Sequence, residues 1–313
     1  MSRLQGLLAV AGFVFAIAAA FFATPVAADV VPEILVSTQS GVVIRYDLET
    51  GAILGELSDG SESIKLAGSA IGRDDLFYVA DYEGSQILRF NLETGEALGA
   101  FISAGMLSNP DGLAFDKDGN LYVSNRQTHD VLLYDGATGD FLNVFAGGGG
   151  LQSPSVLTFG PDDALYVSSL ETHAVLRYNR ETGAFIDIFA SDGGLDAPAG
   201  LAFGKDGDLY VASRDTDSIL RYNGTTGEFV EVFASGNGLD DPIGLAFGTD
   251  GYLYVAGKTA ILRYNAATGD FVDTFATDLN RPTFLTIVPE PATLALLGFG
   301  ALALRRRRRL SQR

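Results

Sequence analysis

The stretch PAGLAFGKDGDLYVASRDTDSILRYNGTTGEFVEVFASGNGLDD, Pro198 to Asp241, decides the fold. Its apolar residues fall in four short runs rich in Val, Leu, Tyr and Phe, and Asp206-Gly207, Asn223-Gly224 and Thr226-Gly227 punctuate them. Runs this short between turn residues predict a four-stranded antiparallel meander. Both faces of that sheet carry apolar side chains, so it needs like neighbours on either side. A four-stranded unit that recurs with a period in the forties predicts a β-propeller.

The recurrence is regular along the chain. The second-strand landmark falls at Leu35, Tyr78, Tyr122, Tyr166, Tyr210 and Tyr254, at intervals of 43, 44, 44, 44 and 44 residues. A Thr-Gly hairpin follows each landmark, at Gly51, Gly95, Gly139, Gly183, Gly227 and Gly269, where a left-handed turn position suits glycine. The first copy, from Ile34 to Leu57, lacks a first strand, and one extra strand, Arg281 to Ile287, follows the sixth copy. Three N-terminal strands completed by one C-terminal strand predict an all-β, six-bladed ring with 3+1 closure and few exposed edges. In the first strands, Gly112-Leu113-Ala114-Phe115, Gly200-Leu201-Ala202-Phe203 and Gly244-Leu245-Ala246-Phe247 alternate small and large residues. The small ones let innermost strands crowd near the axis, and the large ones pack between blades. A fully buried Phe there is worth roughly 3–5 kcal/mol.

Composition agrees with one large repeat domain. The chain has 313 residues, 38 of them Gly, 33 Tyr or Phe, and no Cys, so disulfides, thiolate metal sites and cysteine nucleophiles are excluded. Setting aside Arg3, Glu290 and the six arginines after Val288 leaves 14 basic and 38 acidic residues, a net charge of −24 over 29–288. A nucleic-acid reader needs the opposite sign. A solvated acidic surface is the plain reading, with cationic matrix components or divalent ions as partners it also permits.

The Pro-x-Gly-Leu-Ala-Phe, Asp-Gly-x-Leu-Tyr-Val and Ile-Leu-Arg-Tyr-Asn elements resemble the NHL-repeat type of six-bladed propeller, over about residues 30–288. That superfamily also holds SMP-30/gluconolactonase-like and virginiamycin B lyase-like enzymes. The resemblance therefore implies a fold and leaves binding scaffold and enzyme open.

In such a ring the loops between second and third strands share one face with the blade-to-blade connections. There the chain places Asp81, Glu83, Asn125, Arg126, His129, Glu171, His173, Arg214, Asp215 and Asp217, our candidate ligand face. The only two histidines, His129 and His173, sit one repeat apart. They read as a metal or acid–base pair, or as ordinary polar turn residues, a place that Asp217 takes in blade five; zinc wants three convergent ligands. Carboxylates such as Asp81, Glu171 and Asp215 suit Ca²⁺, although nothing in the sequence requires a cofactor. The lactonase-like resemblance implies a channel metal held by Glu, Asn and Asp, and Asn125, Glu171 and Asp215 supply those types by loop position. On the other face, Asp116-Lys117-Asp118-Gly119-Asn120 mimics an EF-hand start but recurs as a hairpin turn in other blades. Arg45, Arg89, Arg177, Arg221 and Arg263 recur too, which predicts scaffold ion pairs.

Both ends carry targeting patterns. Arg3, the apolar run Leu7 to Phe22 and Thr24-Pro25-Val26-Ala27-Ala28 predict a signal peptide over 1–28, removed by signal peptidase. At the other end, Pro289, Glu290 and Pro291 precede the apolar run Ala292 to Leu304 and the basic stop Arg305, Arg306, Arg307, Arg308 and Arg309. As a helix the run would be about 20 Å long, short of the ~30 Å hydrocarbon core. It predicts transient membrane insertion through 292–304, with the arginines kept cytoplasmic. The order of these three parts resembles the PEP-CTERM sorting domain. That resemblance implies processing by an exosortase-type enzyme at the envelope of a Gram-negative bacterium. The expected organisation is thus signal peptide 1–28, propeller 29–288 and sorting signal 289–313. The expected function is a surface or extracellular-matrix module that binds protein or polysaccharide, with a metal-dependent hydrolase or lactonase, or a lyase-like enzyme, as the alternative.

Overall fold

Why six copies of a meander make one ring follows from where their tyrosines go. A computed structural model describes residues 32–288 apart from 62, 63 and 104; the signal peptide and sorting signal expected from the sequence lie outside the described residues. Six four-stranded antiparallel sheets succeed one another from Glu33 to Val288. Five take their strands in chain order: blade two starts at Leu66, blade three at Pro110, blade four at Pro154, blade five at Pro198 and blade six at Leu245. Blade one is Glu33–Thr38, Val43–Asp47 and Ile53–Leu57, with Pro282–Val288 hydrogen-bonded alongside Glu33–Thr38 as its innermost strand. The expected 3+1 closure is present. Among the described residues helix is confined to the turn Arg214–Thr216, and none is long and apolar enough to cross a membrane.

Each landmark tyrosine is the hub of an inter-blade joint. Tyr166 meets Phe189 of its own outermost strand at 4.8 Å between ring centroids and Phe203 of the next blade at 5.0 Å, both edge-on. Tyr78, Tyr122 and Tyr210 repeat the sandwich. Edge-to-face contacts at these distances add to the burial term. The tyrosines are buried while Phe115, Phe159, Phe203 and Phe247 are half-buried, so the tyrosine is the keystone of the joint. The phenol donates to the aspartate of the first hairpin, as from Tyr210 to Asp206 Oδ2 at 2.9 Å.

The small residues of the innermost strands act as expected. A Cβ on Gly112 would lie 2.5 Å from the carbonyl oxygen of Ser155 in the next blade. Because that neighbour is backbone, Gly112→Ala is expected to destabilise by about 1–3 kcal/mol, as overpacking does, read as a lower urea midpoint; an unchanged midpoint would refute the close approach. Two blades depart from glycine here, with Val156 in blade four and Phe284 in blade one. Phe284 nevertheless joins the buried cluster of blades four and five that contains Val156. Blade one borders neither of those blades, so it reaches them across the axis. The channel is blocked there by apolar side chains.

The recurring arginines form scaffold pairs. Arg45 pairs with Glu33, Arg177 with Asp187 and Asp162, Arg221 with Asp206, Asp208 and Glu231, and Arg263 with Asp273. Arg89 differs, lying over the Phe101 ring at 5.2 Å. Blade three has Leu133 at this place. Arg180 of blade four fills the gap, 3.3 Å from Asp118 and 3.0 Å from Asp163. The Asp116 turn is a hairpin, its carboxylate accepting the Asp118 and Asn120 N–H groups at 2.8 Å each.

Candidate functional site

At the face that receives the blade-to-blade connections the channel opens into a cup of about 310 Å³. Its inner wall takes one position from each blade: Ala67, Asp111, Ser155, Ala199, Ile243 and Thr283. These are the variable residues of the Pro-x-Gly-Leu-Ala-Phe element, which explains their convergence, since five are the second residue of an innermost strand and Ile243 lies two residues before the sixth. Gln39, Lys65, Tyr82, Arg126, Arg214 and Arg281 form the outer wall.

Charge at the cup opposes that of the ring. Four of the lining residues are basic and Asp111 is the one carboxylate. Asp111 is 7% exposed, and burial pushes its carboxyl above the usual carboxylate range against the opposing pull of Arg126, Ser155 and Arg214. Its Oδ2 accepts the Ser155 Oγ–H at 3.0 Å, with Arg126 Nη1 at 3.5 Å. The Arg126 guanidinium lies 5.7 Å from the centroid of the Tyr82 ring. Arg214 Nε donates to Asp241 Oδ1 at 2.8 Å, and Arg281 donates to Asp241 Oδ2, so one carboxylate holds two arginines in place. Lys65 pairs with Glu83 beside the mouth.

Of the ten loop residues singled out by sequence, two reach the cup wall: Arg126 and Arg214. The others bond within their own loops or to a blade-to-blade connection, or point to solvent. Asp81 is fully buried and accepts the Gly84 N–H and the Gln86 amide at 3.0 and 2.9 Å. Asn125 accepts the Ser108 N–H at 2.6 Å and donates to the Met106 carbonyl. Glu171 is exposed and accepts the Ser153 hydroxyl, while Asp215 is exposed. Asn125, Glu171 and Asp215 therefore do not present a shared donor set to the channel. Among the described residues no group of three or more His, Asp or Glu is placed to hold a metal ion.

The histidines have a shared structural task. His129 Nδ1 accepts the Ser153 N–H at 2.8 Å, and His173 Nδ1 accepts the Ala197 N–H at 3.1 Å. Asp217 Oδ1 accepts the Asp241 N–H at 2.9 Å, the same bond one blade on. Each acceptor has positive φ and caps the chain as it enters the next blade. The repeat spacing thus puts the two histidines at equivalent inter-blade joints.

Sequence reasoning passed over Asp111, Lys65, Tyr82 and Arg281. A signal was present in the varying x of an otherwise repeated element, at positions 67, 111, 155, 199 and 243. Two larger hollows, of about 610 and 560 Å³, lie against the repeated hairpins of the opposite face. Their polar groups are the scaffold pairs of Arg180 and Arg221, so the cup is the better candidate.

Comparisons with known proteins agree with this architecture. The SMP-30/Gluconolactonase/LRE-like region matches residues 36–171, and the PEP-CTERM protein-sorting motif matches residues 288–309. No curated protein matches the chain in sequence. A chain from a crystal structure of a nidogen/laminin complex is similar with a TM-score of 0.67 and 20% identity, covering 82% of this chain and 98% of that one. Virginiamycin B lyase from Staphylococcus aureus, in a catalytically inactive form with quinupristin, gives 0.59 and 18%, over 79% and 84%. A Bacteroides caccae protein of unknown function gives 0.65 and 16%, over 83% and 100%. At these identities the likenesses speak to fold alone. With its strand count, repeats and motif matches taken together, the chain is a six-bladed β-propeller protein, similar over 36–171 to the SMP-30/Gluconolactonase/LRE-like region, with a PEP-CTERM protein-sorting motif.

Proposed function

We propose that this chain is an exported cell-surface or extracellular-matrix propeller that binds protein or polysaccharide through the channel mouth. In this reading, 1–28 is a signal peptide, 29–288 the ring and 289–313 a sorting signal. Segment 292–304 crosses or enters the membrane transiently until an exosortase-type enzyme acts at Pro289, Glu290 and Pro291. The motif match over 288–309 supports sorting to the cell envelope.

The observation that carries binding over turnover is the make-up of the cup. Its wall is lined by guanidinium and amide donors that can hold a ligand, and its single carboxylate, Asp111, is buried and hydrogen-bonded to the Ser155 hydroxyl with no histidine in the cup lining. The positions by which a lactonase-like metal site would be carried over supply no convergent set. A hydrolase or lyase is the second reading, favoured by the family match over 36–171.

One experiment separates the two. Metal content of the purified full chain and its hydrolysis of a simple lactone, with and without chelator, are measured together. The binding reading expects no stoichiometric metal and no chelator-sensitive turnover. Stoichiometric metal with turnover that chelator abolishes would replace it with the enzyme reading.

A further inference from the structure

We propose that the channel mouth is an oxyanion site for a sugar-sized ligand that carries one negatively charged group on an otherwise uncharged body, with Arg126 as the group that meets the anion. This rests on the reading of the mouth as a binding site and names the class of ligand it takes.

The charge distribution is the first ground. A ring with 38 acidic and 14 basic residues over 29–288 sets four of those cations around one small cup. Low-dielectric walls focus such a field on whatever enters.

The second ground is which donors are already committed. Arg214 and Arg281 are both held by Asp241, and Lys65 by Glu83. Arg126 has only the 3.5 Å approach to Asp111, an oxygen that already accepts from Ser155. That distance is beyond the range of a charge-assisted hydrogen bond. Its N–H donors therefore line the cup uncommitted, with the Tyr82 ring centroid 5.7 Å from the guanidinium carbon.

Size and surroundings narrow the ligand. At about 310 Å³ the cup sits at the lower end of small-ligand pockets, and the apolar plug of Val156 and Phe284 blocks the channel. The surrounding loops expose Glu83, Glu171, Asp215 and Asp217. A densely charged polyanion meets like charge there, whereas a single anionic group on a neutral body meets it only weakly.

The test titrates the full chain with glucuronate, glucose 6-phosphate and glucose by calorimetry at low and high salt. At least one anionic sugar is expected to bind, weakening as salt rises, while glucose does not. Which one binds tells a carboxylate from a phosphate ester. Arg126→Ala is expected to weaken that binding about tenfold or more at an unchanged melting temperature. Arg126→Lys should recover part of the loss, and Asp111→Asn, which removes the cup's one anion, should tighten binding. Equal binding of glucose, binding by neither anionic sugar, preferential binding of polygalacturonate, or wild-type affinity in a folded Arg126→Ala chain would overturn the proposal. Absence of anion binding without chelator-sensitive turnover leaves the binding reading standing. Such turnover removes that reading whatever the anion result.

Discussion

A chain ending at Asn280 is expected to lose the cooperative unfolding transition of the ring. The missing strand, Pro282–Val288, supplies the whole inner edge of blade one, where Ile34 pairs with Ile287 and Val36 with Leu285. Without it, Glu33–Thr38 becomes an open edge facing the axis, and blade one has no innermost strand to set against its neighbours. Phe284 and Leu285 are buried at 8% and 7% exposure, and full burial of such side chains contributes roughly 1.5–3 kcal/mol each. A ring closed by one segment loses the contacts on both sides of it together. Near-ultraviolet circular dichroism and urea unfolding read the result. A truncated chain that kept the full-length midpoint and slope would show that the closing strand contributes little.

Tyr166→Ala is the second large effect, expected to cost about 3–5 kcal/mol. Tyr166 is fully buried between Phe189 and Phe203, and its deletion leaves a cavity between two rigid sheets that cannot collapse into it. Phe203→Ala should cost less, because that ring is half-buried. Tyr166→Phe separates the hydroxyl from the ring. Burial raises the phenol from its ordinary value of 10.0 to about 12. A folded pKa above the unfolded one contributes stability that is present below the unfolded value and lost as pH rises through the folded value. Wild type should therefore lose stability between about pH 10 and 12 more steeply than Tyr166→Phe. Paired denaturant curves at neutral and alkaline pH check both statements, and equal midpoints for Tyr166→Ala and wild type would remove the tyrosine from its keystone role.

The ring was readable because each of its determinants is local or periodic. Hairpin residues such as Gly139 and Gly227 mark turns by their own backbone preference. The tyrosine spacing counts blades without any knowledge of contacts, and the missing first strand before Ile34 is answered by Pro282–Val288. The arginines of the third strands declared themselves as scaffold by recurring. Blade three, with Leu133, needed the structure, because Arg180 comes from blade four to meet Asp118 while also pairing with Asp163 of its own blade.

The candidate site was half readable. Loop position brought Arg126 and Arg214 forward, yet the neighbouring Asn125 and the equivalent Asp81 of blade two are taken up by backbone N–H groups, of Ser108 in the connection into blade three and of Gly84 in Asp81's own loop. A loop sequence records which side chains are near the face, not which N–H groups lie near enough to take them. His129 and His173 show the same limit: one repeat apart in sequence, each accepts the N–H of the chain entering the following blade.

The sequence by itself determined the number of blades and their closure, because periodicity and turn chemistry act within a few residues or repeat at a constant interval. Only the tertiary structure decided that Asp111 and Arg126 face one cup and that Phe284 meets the blade-four and blade-five cluster across the axis. The first depends on how the strands of one blade aim their ends at the axis, and the second joins blades that are remote along the chain, which closure of the ring brings within reach of one another.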